Sequence, residues 1–155
     1  MEQDDKMVQP TAQPNVSFFR FEDLRVYGKA TDYATWVANQ MTSPRNESEK
    51  ALVNSFCHSS FDIALNIAEG SSRSKNQFDH YLKIAKTAIR ECVVYTEVAH
   101  NLGMMGDDQH QQSREFLMEL TRMIGALIIS LQRTSERRHD EASEPAYGPA
   151  DDMSY

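Results

Sequence analysis

Glu97-Val98-Ala99-His100 is the first place in this chain where residue types and spacing suggest chemistry. On a helix, Glu-x-x-His puts a carboxylate and an imidazole on one face, and di-iron bundles combine two such elements with two more inward-facing glutamates. Glu136-Arg137-Arg138-His139 repeats the letters, but it falls where apolar periodicity gives out, so the set is incomplete and His100 reads as a solvated surface residue. Cys57 and His58 are neighbours, hence about 100 degrees apart on a helix and badly placed to form a thiolate–imidazole pair. His80, beside Tyr81 in a basic segment, reads as exposed. Asn66 and Glu69 stand three apart with no nucleophile, metal set or matching acid beside them, and neither a Gly-x-Gly-x-x-Gly run nor a phosphate loop is present. The expectation is no enzyme, no catalytic or metal site and no cofactor; a small enzyme whose site forms between subunits is the alternative.

Charge suggests binding instead. The net charge is -7, but residues 1–20 contribute -1 and residues 135–155 contribute -4, leaving -2 on the body. Within Ser71 to Arg90 the cations Arg73, Lys75, Lys83, Lys86 and Arg90 face a single acid, Asp79. On a helix, Lys75, Asp79, Lys83, Lys86 and Arg90 form one stripe, a candidate surface for nucleic acid or an acidic partner; the alternative is a solvated face that keeps the protein soluble.

Helices must carry these residues. Most prolines lie near the ends, and no alternating strand pattern competes. Residues 1–17 and 135–155 read as disordered tails around a four-helix bundle over 18–134, a single domain by length. The first helix is expected over Phe21–Met41, before Pro44, and the second over Asn46–Gly70. The third follows the capping pair Ser74 and Gln77 and runs to Leu102, and the fourth covers Gln109–Thr134. Two cysteines within helical patterns, no basic apolar leader and no apolar run of about 20 residues predict a reducing, cytoplasmic setting with no membrane span.

The third helix carries two apolar seams. Phe78, Leu82, Ala85, Ile89, Cys92, Thr96 and Ala99 keep heptad spacing, and Tyr81, Ile84, Ala88, Tyr95, Val98 and Leu102 run beside them, interrupted by Glu91. So wide an arc either packs on a neighbouring helix of the same chain or is covered by another subunit. Asn66, three residues after Ile63, falls in the apolar register of the second helix, where a part-buried amide must find partners and can fix register. Glu69 and Arg73 could pair if the helix persists past Gly70.

Asn66-Ile67-Ala68-Glu69-Gly70, with Arg73-Ser74, Phe78, Leu82, Ile84-Ala85 and Glu91 downstream and Phe21, Asp23-Leu24 and Val26-Tyr27 upstream, resembles the four-helix bundle family that includes the 23S rRNA intervening-sequence proteins and the accessory variability determinant of diversity-generating retroelements. The resemblance spans roughly Phe21 to Gly103. It implies an antiparallel up-down bundle assembled into a homopentameric ring, acting as a scaffold or adaptor or, alternatively, as an RNA-binding accessory factor of a reverse transcriptase. This chain departs from the family where an arginine pair is replaced by Cys57-His58 and a proline by Ala64.

Overall fold

A computed structural model describes residues 16–143; the tail expectations for 1–15 and 144–155 lie outside the described residues. A short 3-10 turn, Arg20–Asp23, is followed by four α-helices: α1 (Arg25–Gln40), α2 (Glu47–Ser71), α3 (Lys75–Asn101) and α4 (Asp107–Ser143). No strand occurs among the described residues. Around the bundle, the backbone of α1 lies beside α2 and α4, and that of α3 beside the same two, while the diagonal pairs meet only through side chains in the core. Neighbouring helices run antiparallel: Tyr33 meets Ser113 and Lys29 meets Glu119 across α1 and α4.

The ends follow local chemistry. Leu24 is extended (φ -77, ψ 121) and offers no side-chain cap, so α1 starts at Arg25 and not at the expected Phe21. The segment before it instead stacks its aromatic rings, with Phe21 set edge-on against Tyr27 at 5.0 Å. Asn46 caps α2 by accepting from the Glu49 backbone N–H at 2.9 Å. Ser74 and Gln77 form the capping box of α3. Gly103, at φ 71, supplies the left-handed turn that ends α3. The last helix corrects the expected limits most: it begins at Asp107 and runs to Ser143, nine residues into the predicted tail. No proline occurs between Pro44 and Pro145, and Glu, Arg and Ala sustain a helix that needs no apolar face there.

The main seam of α3 is the core: Leu82, Ala85, Ile89, Cys92, Thr96 and Ala99 are buried. They pack with Tyr33 and Val37 of α1, Phe56, Ile63 and Ile67 of α2, and Leu117, Leu120 and Ile124 of α4. One polar knot crosses this core. Ser113 Oγ lies 2.9 Å from Tyr33 Oη and 2.7 Å from Thr96 Oγ1, while Thr96 donates to the Cys92 carbonyl at 2.7 Å. Each buried hydroxyl therefore has a partner.

Candidate functional site

The Asn66–Gly70 run is a structural joint whose residues have separate tasks. Ile67 is fully buried. Gly70 sits where α2 and α3 come closest: a Cβ there would lie 2.6 Å from Tyr81 Cβ and 2.8 Å from Phe78 Cδ2, so only glycine fits the crossing. The helix continues through Gly70 to Ser71, which lets Glu69 pair with Arg73, and Arg73 in turn lies 6.0 Å over the Tyr81 ring. Asn66 is half-buried and donates from Nδ2 to the Asp62 carbonyl of its own helix at 2.8 Å. It makes no cross-helix bond among the described residues. The polar tie between α2 and α3 is made elsewhere, by Ser59 donating to Glu91 at 2.7 Å.

The basic stripe is only partly free. Arg73 is held by Glu69 and Lys83 by Asp79 at 2.6 Å. Lys75 borders a crevice with Leu131 and Glu136 of α4. Lys86 is half-buried and Arg90 exposed, and neither joins an ion pair among the described residues. The fourth helix adds cations that its apolar spacing hid in the sequence: Arg114 and Arg122 line a depression with Val93 of α3, and Arg133 and Arg137 line another with Ile129.

Two apolar surfaces lie apart on the bundle. Between α1 and α2 runs a groove of about 650 Å³, with Tyr27, Ala34 and Ala38 on one wall and Phe61, Leu65 and Ala68 on the other. Leu65 is 60% exposed there. On α3, Val94, Val98 and Leu102, spaced by four, are exposed along one stripe of the helix. The second seam of α3 thus divides: Ala88 is buried and Tyr81 and Tyr95 are half-buried within the chain, whereas Ile84, Val98 and Leu102 stay in water.

Neither cysteine is set up for chemistry. Burial pushes the Cys92 thiol up to about 12, with the Glu91 charge adding to it, and burial raises Cys57 as well. Burial raises the Tyr33 hydroxyl far above its usual range too. At the end of the bundle where α3 turns into α4, His100 lies at the surface, 30% exposed. Its ring is tilted against that of His110, with centroids 4.3 Å apart. Its Nε2 lies 2.8 Å from Asp107 Oδ1, and His110 Nε2 lies 2.9 Å from Glu97 Oε2. That bond to His110 is the main reason the Glu97 carboxyl is held below the usual carboxylate range. His110 escaped sequence reasoning because it stands 13 residues from Glu97, beyond any single-helix spacing; the turn at Gly103 unites them. His80 is exposed, as expected.

Among the described residues, no helix is long and apolar enough to cross a membrane. Residues 22–126 match a family described as 23S rRNA-intervening sequence protein. A comparison with curated proteins found no match.

Proposed function

We propose that this chain, which belongs to the 23S rRNA-intervening sequence protein family, is a non-enzymatic scaffold or adaptor that works in the reducing cytoplasm as a ring of identical copies. The observation that supports this reading is the pair of unlike apolar surfaces: the α1–α2 groove and the α3 stripe of Val94, Val98 and Leu102. Burying a leucine or phenylalanine completely contributes about 1.5–3 kcal/mol. Covering Leu65 and Phe61, now 60% and 44% exposed, therefore contributes about 1–2 kcal/mol each. Two different patches make a head-to-tail contact, which closes into a ring when the rotation per subunit allows. Five subunits is the count we favour, on the resemblance already given.

A ring would present Lys86, Arg90, Arg114 and Arg122 once per subunit, turning a weak stripe into a multivalent one for a protein partner. Leu65→Glu places a charge in the groove and is expected to leave folded monomers in sedimentation velocity at micromolar concentration. A wild-type chain that sediments as a 17.7 kDa monomer under the same conditions overturns the proposal. A second reading is an RNA-binding accessory factor, for instance of a reverse transcriptase. It is favoured by the arginines of α4, which extend the stripe beyond Lys75, Lys86 and Arg90, and opposed by the internal pairing of Arg73 and Lys83. RNA retention that falls steeply between low and moderate salt, and that Lys86→Glu with Arg90→Glu abolishes, would favour it.

A further inference from the structure

Glu97, His100 and His110 offer one imidazole nitrogen or carboxylate oxygen each, all within 4.8 Å of one another. From this geometry we propose a divalent transition-metal site at the α3–α4 turn, with Glu97, His100 and His110 as ligands and Asp107 as a hydrogen-bond partner of the His100 imidazole. None of this chemistry belongs to the scaffold reading, which stands or falls separately.

Ligands about 2.0–2.1 Å from a tetrahedral ion are about 3.4 Å from each other. The bonded pair His110–Glu97, at 2.9 Å, needs to open by about half an ångström as an ion replaces the bridging proton. The wider separations within the trio, up to 4.8 Å, need to shrink by somewhat more. Side-chain rotation supplies such shifts at this bundle end, where Glu97 and Asp107 have exposed carboxylates (51% and 98%) and the imidazoles are 30% and 21% exposed. The ion thus has a path in from solvent. Two imidazoles with a carboxylate select zinc-like ions over magnesium and calcium, which prefer oxygen alone.

The backbone favours this arrangement. Glu97 and His100 lie on the last turns of α3, Asp107 and His110 on the first turns of α4, and the left-handed Gly103 fixes the reversal between them. An ion held by Glu97, His100 and His110 would pin the two helices at their turn, in addition to the bonds that these side chains make alone. Three protein ligands leave the fourth tetrahedral position to water.

Calorimetric titration of the full chain with Zn²⁺, against Mg²⁺ as control, tests this directly. The expected result is one Zn²⁺ per chain, no Mg²⁺ binding, and a higher melting temperature with Zn²⁺ than with chelator. Co²⁺ should show the visible ligand-field absorption of tetrahedral nitrogen–oxygen ligation. Replacing both imidazoles, His100→Gln with His110→Gln, should weaken binding by more than the about 10- to 100-fold that loss of an outer-shell partner costs, while circular dichroism stays helical. Should that double variant fail to fold, Glu97→Gln, at an exposed position, reads the same site with a smaller loss. Absence of saturable Zn²⁺ binding by the wild-type chain, or binding that the variants leave unchanged and that therefore belongs to His58, His80 or His139, overturns the proposal.

Discussion

Gly70→Ala should destabilise the protein although alanine is the better helix former. The added methyl carbon would stand 2.6 Å from Tyr81 Cβ, 2.8 Å from Phe78 Cδ2 and 3.3 Å from Tyr81 Cγ, where carbon atoms prefer about 3.5–4.0 Å. Phe78 can rotate its ring aside, but Tyr81 Cβ is fixed to the backbone of α3, so relief requires the helices to separate by about 1 Å. Overpacking of this kind costs about 1–3 kcal/mol, and a contact that no rotamer relieves falls in the upper part of that range. Against it stands the helix-propensity gain of alanine, about 1 kcal/mol in a helix interior and less here, since α2 ends at Ser71. The net loss is about 2 kcal/mol, equivalent to about 4–8 °C in melting temperature for a chain of this size. Thermal unfolding followed by circular dichroism, at one protomer concentration so that assembly does not confuse the comparison, gives the answer. A Gly70→Ala variant as stable as the wild type would refute the close-crossing argument.

Ser113→Ala strands the Tyr33 hydroxyl in the core and is expected to lower stability by about 1–3 kcal/mol in urea titration, whereas Tyr33→Phe, which leaves Ser113 bonded to Thr96, should cost less. Glu49 is held below the usual carboxylate range by the Arg45 guanidinium and backbone N–H. Because its folded value is depressed, the stability it contributes is present above the ordinary carboxylate range and is lost as pH falls through the folded value. Arg45→Met should therefore flatten the acid limb of a stability–pH curve measured by chemical denaturation. A thiol reagent at neutral pH should label Cys57 well before Cys92, whose labelling should track global unfolding; equal rates for both would contradict the burial of Cys92.

Features decided by local chemistry are legible in the sequence. The heptad spacing from Phe78 to Ala99 predicts the face that α3 buries, and Asn46, Ser74 and Gly103 mark three helix ends within a residue or two. Less is legible where the outcome depends on what lies across the bundle. Glu69 and Arg73 are readable as a possible pair, but only the continuation of α2 through Gly70 makes the pair, and its cost is a cation removed from the basic stripe. Asn66 looks like a cross-helix partner by register, yet its amide turns to the Asp62 carbonyl one helical turn back, because an i−4 oxygen is always within reach. Leu24 interrupts the first helix through its backbone conformation, which periodicity does not reveal. His110 and Ser113 gain significance only through residues 13 to 80 positions away, in contacts that no single-helix spacing encodes.

Mixing two assembly-deficient variants tests the head-to-tail ring most directly. Leu65→Glu spoils the groove and leaves the exposed α3 stripe intact; Val98→Glu spoils that stripe and leaves the groove intact. Light scattering coupled to size exclusion should find each variant alone at the monomer mass of 17.7 kDa, and their equimolar mixture at the mass of a two-chain complex, joined by the one interface that still has both halves. A mixture that stays monomeric, or either variant alone retaining the wild-type mass, would contradict the account.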